Sequence, residues 1–430
     1  MKSLDQQAVS LNAQIQKDNP AIYDLLSAKG KAIFFPNLGI VRQSADAKGK
    51  MIDATIGIAV EDDGTPMRLQ AIAGKIAVDP KESFTYASSY GRPDLRKKWQ
   101  DMIRVKNPSL KGTISLPVVT HALTHGLSLA GYLFVDPGDR ILLPDKYWEN
   151  YELLFELAHG GELSFFNTFR GNGFDLDAFE KGLASLGPKK IILLTFPNNP
   201  TGFTPTESEQ EAIVAMLKRE AERGHRVLVL ADDAYFGLVY EEGVARESIF
   251  ARLADAHENL LAVKIDGATK EDYVWGFRVG FITYASKGIT AATCAALEAK
   301  TGGALRGNIS SASHLSQTLV FTGFSSPDYT DAKKAKLQVL KRRYEKVKQV
   351  LKAGEARYRE AFTPLPFNSG YFMCVELKKG LEAESVRQKL LAKYDTGVIS
   401  MGSLIRVAFS AVREEDIPQL FDNIYNACGE

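Results

Sequence analysis

Three apolar runs in this 430-residue chain end abruptly in residues that can do chemistry. KIILLTF stops at Pro197-Asn198-Asn199-Pro200, RVLVLA at Asp232-Asp233-Ala234-Tyr235, and LLAVKIDGA at Thr269-Lys270, with Arg278 a short way on. In open α/β sheets, ligands gather beyond the carboxyl ends of the strands. An amide, a carboxylate, a phenol, an amine and a guanidinium would then share one rim. An amine can condense with a carbonyl, a carboxylate can hold a protonated ring nitrogen, and a guanidinium can hold a phosphate.

The elements that must position these groups are legible in the pattern. Over residues 115–285, short Val, Ile and Leu runs alternate with helical stretches, the rhythm of a mostly parallel sheet covered on both faces. The strand candidates are LPVVTHA, RILLPD, KKIILLTF, RVLVLAD, NLLAVKIDGA and RVGFITYA. Between the third and fourth, Thr206 and Glu209 have capping-box spacing and Gly224 supplies a stop, which predicts a helix. Beyond residue 328 a long basic amphipathic stretch is followed by the short strand candidates SGYFMCVEL and SLIRVAFSAV, a second, smaller α+β lobe. The first 85 residues carry turn signals and no strong periodicity, so their lobe stays open.

Composition narrows the partners. Fifty-three basic against 52 acidic residues give a net charge of +1, too little field to draw in nucleic acid or an anionic membrane surface. Cys294, Cys374 and Cys428 are widely spaced and lack a CxxC pairing, so neither a disulfide framework nor a zinc site is expected. The N-terminal stretch has no continuous apolar segment, and no run is long enough to span a bilayer, which makes the cytoplasm the expected compartment. His121 and His125 lack the adjacent acid of a metalloprotease helix and read as local contacts, with no metal expected.

The side-chain set on the rim suits pyridoxal 5′-phosphate. With its motifs in order along most of the chain, the sequence resembles the fold-type I, class I/II aminotransferases, of the aspartate- and aromatic-aminotransferase kind. The resemblance implies a large α/β domain over 86–327, built on a mostly parallel seven-stranded sheet. Residues 1–85 and 328–430 would form an N-terminal arm and a small α+β domain. It implies transfer of an amino group between an L-amino acid, aspartate-like or aromatic, and a 2-oxo acid such as 2-oxoglutarate, in a homodimer with shared sites. A lyase or synthase of the same fold is the alternative, and a non-catalytic regulatory binder the more distant one.

The resemblance also assigns roles to residues. Lys270 would hold the cofactor and shuttle a proton. Asp232 would pair with the ring nitrogen, chosen over Asp233 by the pattern Asp-x-Ala-Tyr, and Tyr235 and Asn199 would reach the phenolic oxygen. Arg278, Thr269 and the backbone N–H groups of Leu123 and Thr124, at a helix start, would face the phosphate. Trp148 would stack on the ring, with Tyr147 the alternative. Arg406 in SLIRVAFS would grip the substrate α-carboxylate, and Gly57 would close over it unless it is a plain turn glycine. Tyr86 would reach a neighbouring subunit's phosphate. Arg306, four residues before Ser310, would recognise a distal carboxylate unless it is a surface arginine. Two positions depart from the family pattern: Ala122 stands where a glycine is usual, and Gly267 where many relatives carry serine.

Overall fold

The computed structural model describes residues 4–18, 20–33, 39–74 and 78–429. Its centre is a seven-stranded sheet of β1 (Val118–His121), β2 (Arg140–Pro144), β3 (Glu162–Phe166), β4 (Lys189–Thr195), β5 (Arg226–Asp232), β6 (Leu260–Gly267) and β7 (Val279–Ala285). The spatial order is β1-β7-β6-β5-β4-β2-β3. Six of these are the apolar runs read from the sequence. The seventh, β3, lies at the edge and alternates buried with exposed residues, so it lacks the continuous apolar run that marks a strand covered on both faces.

Register explains why the chemistry collects on one rim. β4 and β5 run parallel with Thr195 opposite Asp232, and β5 and β6 run parallel with Asp232 opposite Ile265, so their carboxyl ends lie level. β7 is antiparallel to both neighbours, pairing Gly280 with Gly267 and Val279 with His121. Its reversal brings Arg278, which precedes β7, to the edge where β1 and β6 finish.

The helix α1 (Ala122–Phe134) leaves β1 without an intervening loop. The helix α2 (Glu207–Glu222) carries both halves of the expected capping box, Thr206 Oγ1 accepting from Glu209 N and Glu209 Oε2 from Thr206 N. Its amphipathic face buries Ile213, Leu217 and Ala221 against the sheet, the two larger side chains each contributing about 1.5–3 kcal/mol relative to exposure.

Beyond the large sheet, α3 (Tyr329–Ala353) leads to a four-stranded antiparallel sheet of β8 (Phe362–Pro364), β9 (Met373–Leu377), β10 (Ile399–Met401) and β11 (Leu404–Val407). The order is β8-β9-β11-β10, so Arg406 sits on an inner strand, opposite Cys374 on one side and Ile399 on the other. Residues near the N-terminus join this part of the molecule: Ile52 and Asp53 pair in parallel with Thr396 and Gly397, and Ala408 N donates to Ala54 O at 2.8 Å. Helices occur in the first 85 residues too, among them Gln6–Asp18, although its sequence shows little periodicity.

Candidate active site

β6 ends at Gly267, and no other residue fits there. A Cβ at 267 would lie 2.6 Å from Val279 O and 2.8 Å from Gly280 Cα, and one at 280 would lie 2.6 Å from the Ala122 carbonyl carbon. Three backbones therefore meet closely where β1 and β6 end and β7 begins. Ala122 and Arg278 flank this crossing in the left-handed region, at φ 61° and 56°. Such conformations cost a residue with a Cβ about 1–2 kcal/mol and cluster where a backbone is held to a task.

The single turn Ala268–Glu271 follows β6 and presents Lys270. Tyr371 Oη donates to the Lys270 carbonyl at 2.8 Å, and Lys270 Nζ lies 5.3 Å from the Tyr235 ring centroid. Burial pushes the ammonium down to about 8; Asp232 opposes this, and Arg278 adds to it. The amine is therefore partly unprotonated near neutral pH.

Asp232 is 3% exposed at the end of β5. Tyr151 Oη donates to its Oδ2 at 2.5 Å and also lies 2.8 Å from Thr195 Oγ1; Ala234 N donates to Oδ1 at 3.2 Å. Burial raises the carboxyl to about 6 against the pull of the Tyr151 hydrogen bond and Lys270. A cation placed against it would hold it ionised. Tyr235 is buried beside it, and burial raises its phenol, Arg406 working the other way.

Arg406 joins the second sheet to this rim. Its Nη1 donates to Asn199 Oδ1 at 3.1 Å and its Nη2 to Thr55 O at 3.0 Å, and the guanidinium lies 4.3 Å from the centre of the Phe372 ring. Its Nε is buried without a partner among the described residues. Gly57 belongs to the same corner: a Cβ there would meet Phe372 Cζ at 3.3 Å and Tyr235 Oη at 3.8 Å. Asn199 follows β4 in a turn with cis peptide bonds at Phe196-Pro197 and Asn199-Pro200, braced by Asn198, whose Oδ1 accepts from Thr201 Oγ1 at 2.7 Å.

On the other side of Lys270, Thr269 Oγ1 is buried and unpartnered, and Arg278 makes a single hydrogen bond among the described residues, to Trp275 O at 3.3 Å. Leu123 and Thr124 occupy the first turn of α1, where the helix leaves its N–H groups without internal acceptors, and Leu123 Cδ1 comes within 3.2 Å of a Cβ built at Gly267. Trp148 packs edge-on against Tyr151, ring centroids 5.6 Å apart, and lines a cleft of about 670 Å³ with Glu149, Pro200 and Leu404. Tyr147 lines the same cleft, stacking on Phe165 and donating to Glu152 Oε1 at 2.5 Å.

Lys270, Asp232, Tyr235, Asn199, Arg406, Gly57, Thr269 and Arg278 thus converge, with Leu123, Thr124 and Trp148 at the margins. Tyr86 and Arg306 do not join them within the chain. Tyr86 is 91% exposed, and both line a separate surface depression with Ser310. The sequence reading missed Tyr151, although Trp148 and Tyr151 have the i, i+3 spacing that puts two rings on one helical face. It also missed Tyr371 and Phe372, which lie just before β9 with no local signal linking them to Lys270.

Comparison with known proteins gives the class: residues 51–424 match the model of the family "Aminotransferase class I and II". The chain belongs to that family. It is 29% identical over 232 residues to a probable N-acetyl-LL-diaminopimelate aminotransferase of Bacillus subtilis, covering 54% of each chain. It is 28% identical over 250 residues to an aspartate aminotransferase of Sulfurisphaera tokodaii, covering 58% of this chain and 59% of the relative. In such alignments the chain spans about half the length of the curated relatives it matches. A solved aminotransferase from Anaerococcus prevotii superposes with a TM-score of 0.82 at 22% identity, over 94% of this chain and all of that one, which shows the fold. The fold is that of type I pyridoxal-phosphate enzymes, as the sequence implied.

The family's cofactor is pyridoxal 5′-phosphate, and the residues present fit it. A buried carboxylate, an amine of lowered basicity and an anion corner that holds an unpartnered buried hydroxyl and an underused guanidinium are the donor and acceptor set that molecule requires.

Proposed function

We propose that this chain moves amino groups between an L-amino acid and a 2-oxo acid such as 2-oxoglutarate. One observation carries the reading: Arg406, buried with an unpartnered Nε, is hydrogen-bonded to Asn199 on the rim that also holds Lys270 and Asp232. A site for a carboxylate is thereby built onto a site for the cofactor.

When bound, the cofactor supplies a carbonyl for amine condensation and an electron-poor ring that takes up the electrons of a broken Cα–H bond. Asp232 would accept a hydrogen bond from the ring nitrogen and favour its protonated form, and Tyr151 fixes the carboxylate's direction. Tyr235 and Asn199 would address the phenolic oxygen, Trp148 would cover the ring, and Thr269, Arg278 and the amides of Leu123 and Thr124 would receive the phosphate. Arg406 holds the substrate α-carboxylate in a planar, charge-assisted contact, which orients the amino-bearing carbon, and Gly57 leaves room beside Tyr235. Lys270 anchors the cofactor and, once released, takes the proton from the substrate's α-carbon on Nζ and gives it back. With a pKa of about 8, about a tenth of its side chain is the free amine at pH 7, against less than about a thousandth for an ordinary lysine.

Aspartate-like or aromatic amino acids are the proposed donors. The proposed assembly is a homodimer in which Tyr86 and Arg306 serve the neighbouring subunit's site; their shared exposed depression, and Phe84 at 89% exposure, support this. Residues 86–327 are proposed as the large domain, with 1–85 and 328–430 as arm and small domain, a division supported by the pairing of Ile52 and Asp53 with Thr396 and Gly397. The three cysteines, unpaired and buried, suit the reducing cytoplasm.

The test is an absorbance scan of the cofactor-loaded protein as single amino acids are added without an acceptor. Transamination predicts loss of the carbonyl-form absorbance with release of one 2-oxo acid per site. Substrate consumption with ammonia release and an unchanged final spectrum would instead indicate a lyase.

A further inference from the structure

We propose that the imidazole of His121 is a ligand of the cofactor's phosphate, standing in for the hydroxyl that position 267 cannot carry; the inference rests on the functional reading above. His121 ends β1 and occupies the N-cap of α1, yet its side chain makes no capping hydrogen bond. It is therefore free for another task. The register of β1 with β7 sets His121 opposite Val279, the residue after Arg278, and the imidazole lies within electrostatic reach of the Arg278 guanidinium.

That corner has the character of an anion site. Burial first, and then the nearby Arg278, disfavour protonation of His121; a phosphate beside both would offset the Arg278 part. Thr269 Oγ1, 1% exposed, has no partner, and the first amides of the thirteen-residue α1 point out of the helix at the same place. Gly267 cannot contribute a hydroxyl, because the Val279 carbonyl fills the space where its Cβ would go. His125 is held on the inner side of the helix start: its Nδ1 accepts from His121 N at 3.1 Å, and its Nε2 is buried without a partner among the described residues. The ring of His121 lies outside that contact and is exposed. A ring N–H at this position adds a donor where the backbone forbids a serine.

Titrating apoprotein with pyridoxal phosphate and with pyridoxal, which lacks the phosphate, isolates this contact. His121→Ala should bind pyridoxal phosphate about tenfold more weakly, the loss of one hydrogen bond to a charged group, and pyridoxal unchanged. His121→Asn, which restores a short donor, should recover much of the loss, and the ³¹P resonance of the bound phosphate should move in the Ala variant. Equal weakening of both ligands, or none, would overturn the inference. Failure of the unaltered protein to take up pyridoxal phosphate at all would overturn the functional reading first, and this inference with it.

Discussion

Asp232 and Asp233 are consecutive residues at the end of β5, and each answers a lysine of the β6 segment. Asp232 lies on the rim with Lys270. Asp233 turns to the opposite side, where it is ion-paired with the fully buried Lys264 and accepts a hydrogen bond from Ser248 Oγ at 2.5 Å. Burial disfavours the charged form of both lysines. Lys264 has three carboxylates to offset this, Asp233 and, at 3.4 Å, Asp266, with Glu271 adding a smaller share, and its ammonium is held above the usual range. Lys270 has only Asp232, with Arg278 working against it, and falls to about 8. The same two residue types, on or just beyond the same two strands, thus give a locked pair and a reactive one, and the count of neighbouring charges decides which is which.

Exchanging the lysines' roles by mutation should expose this division. The largest effect belongs to Lys270→Ala: amino-group transfer should fall by about 10⁴-fold or more, and borohydride should no longer fix the cofactor to the peptide around residue 270. Its unfolding midpoint should not fall, since the variant removes a poorly compensated charge. Lys264→Met should do the reverse. Leaving Asp233 and Asp266 without their cation should cost about 3–5 kcal/mol in urea unfolding, while the folded fraction still takes up cofactor. Adding Asp233→Asn should recover part of that loss.

The pH dependence separates them further. Lys270 titrates near 10.5 when unfolded and near 8 in the folded, cofactor-free protein, so between these values the unfolded chain carries the extra proton. Stability from this residue therefore rises with pH across that window and is lowest below it. Because the side chain is partly open to water, the gain of the unaltered protein over Lys270→Met should be about 2–3 kcal/mol by pH 10.5, read from paired denaturant curves. The smallest effect is expected for Tyr151→Phe. Removing the donor to Asp232 should slow turnover about tenfold and raise the pH at which the acidic limb of the rate profile falls, because the carboxylate loses a contact that favours its charged form.

The contrast between the two aspartates also shows what a sequence can disclose. Strands β4, β5 and β6 were readable because strands covered on both faces must be apolar throughout, and the polar residues that interrupt them announce the rim. Lys264 and Asp266 lie inside such a run as charges with no stated partner; only the fold reveals that they answer Asp233 and Trp99. Arg406 was legible as an arginine with little structural need on a short strand, but its contact with Thr55 O was not, because nothing local links residues so far apart. Tyr151 was missed beside Trp148 since a donor to Asp232 is defined by position in space. Tyr86 and Arg306 find each other but not Lys270, which sequence spacing within one chain cannot foretell.

The bond from Arg406 to the Thr55 carbonyl has a consequence for the order of assembly. On a ribosome, everything from β1 to β7, and with it the lysine, the aspartate and the anion corner, emerges well before residue 406 does. The segment around Thr55 is made early and must wait, unpaired, for the last part of the chain to return to it. Contacts of such long sequence separation close slowly, because the intervening chain must first be ordered. A nascent or C-terminally truncated chain can therefore acquire the half of the site that suits the cofactor before the half that suits the substrate, and cofactor present during synthesis would act as an early ligand for an unfinished protein.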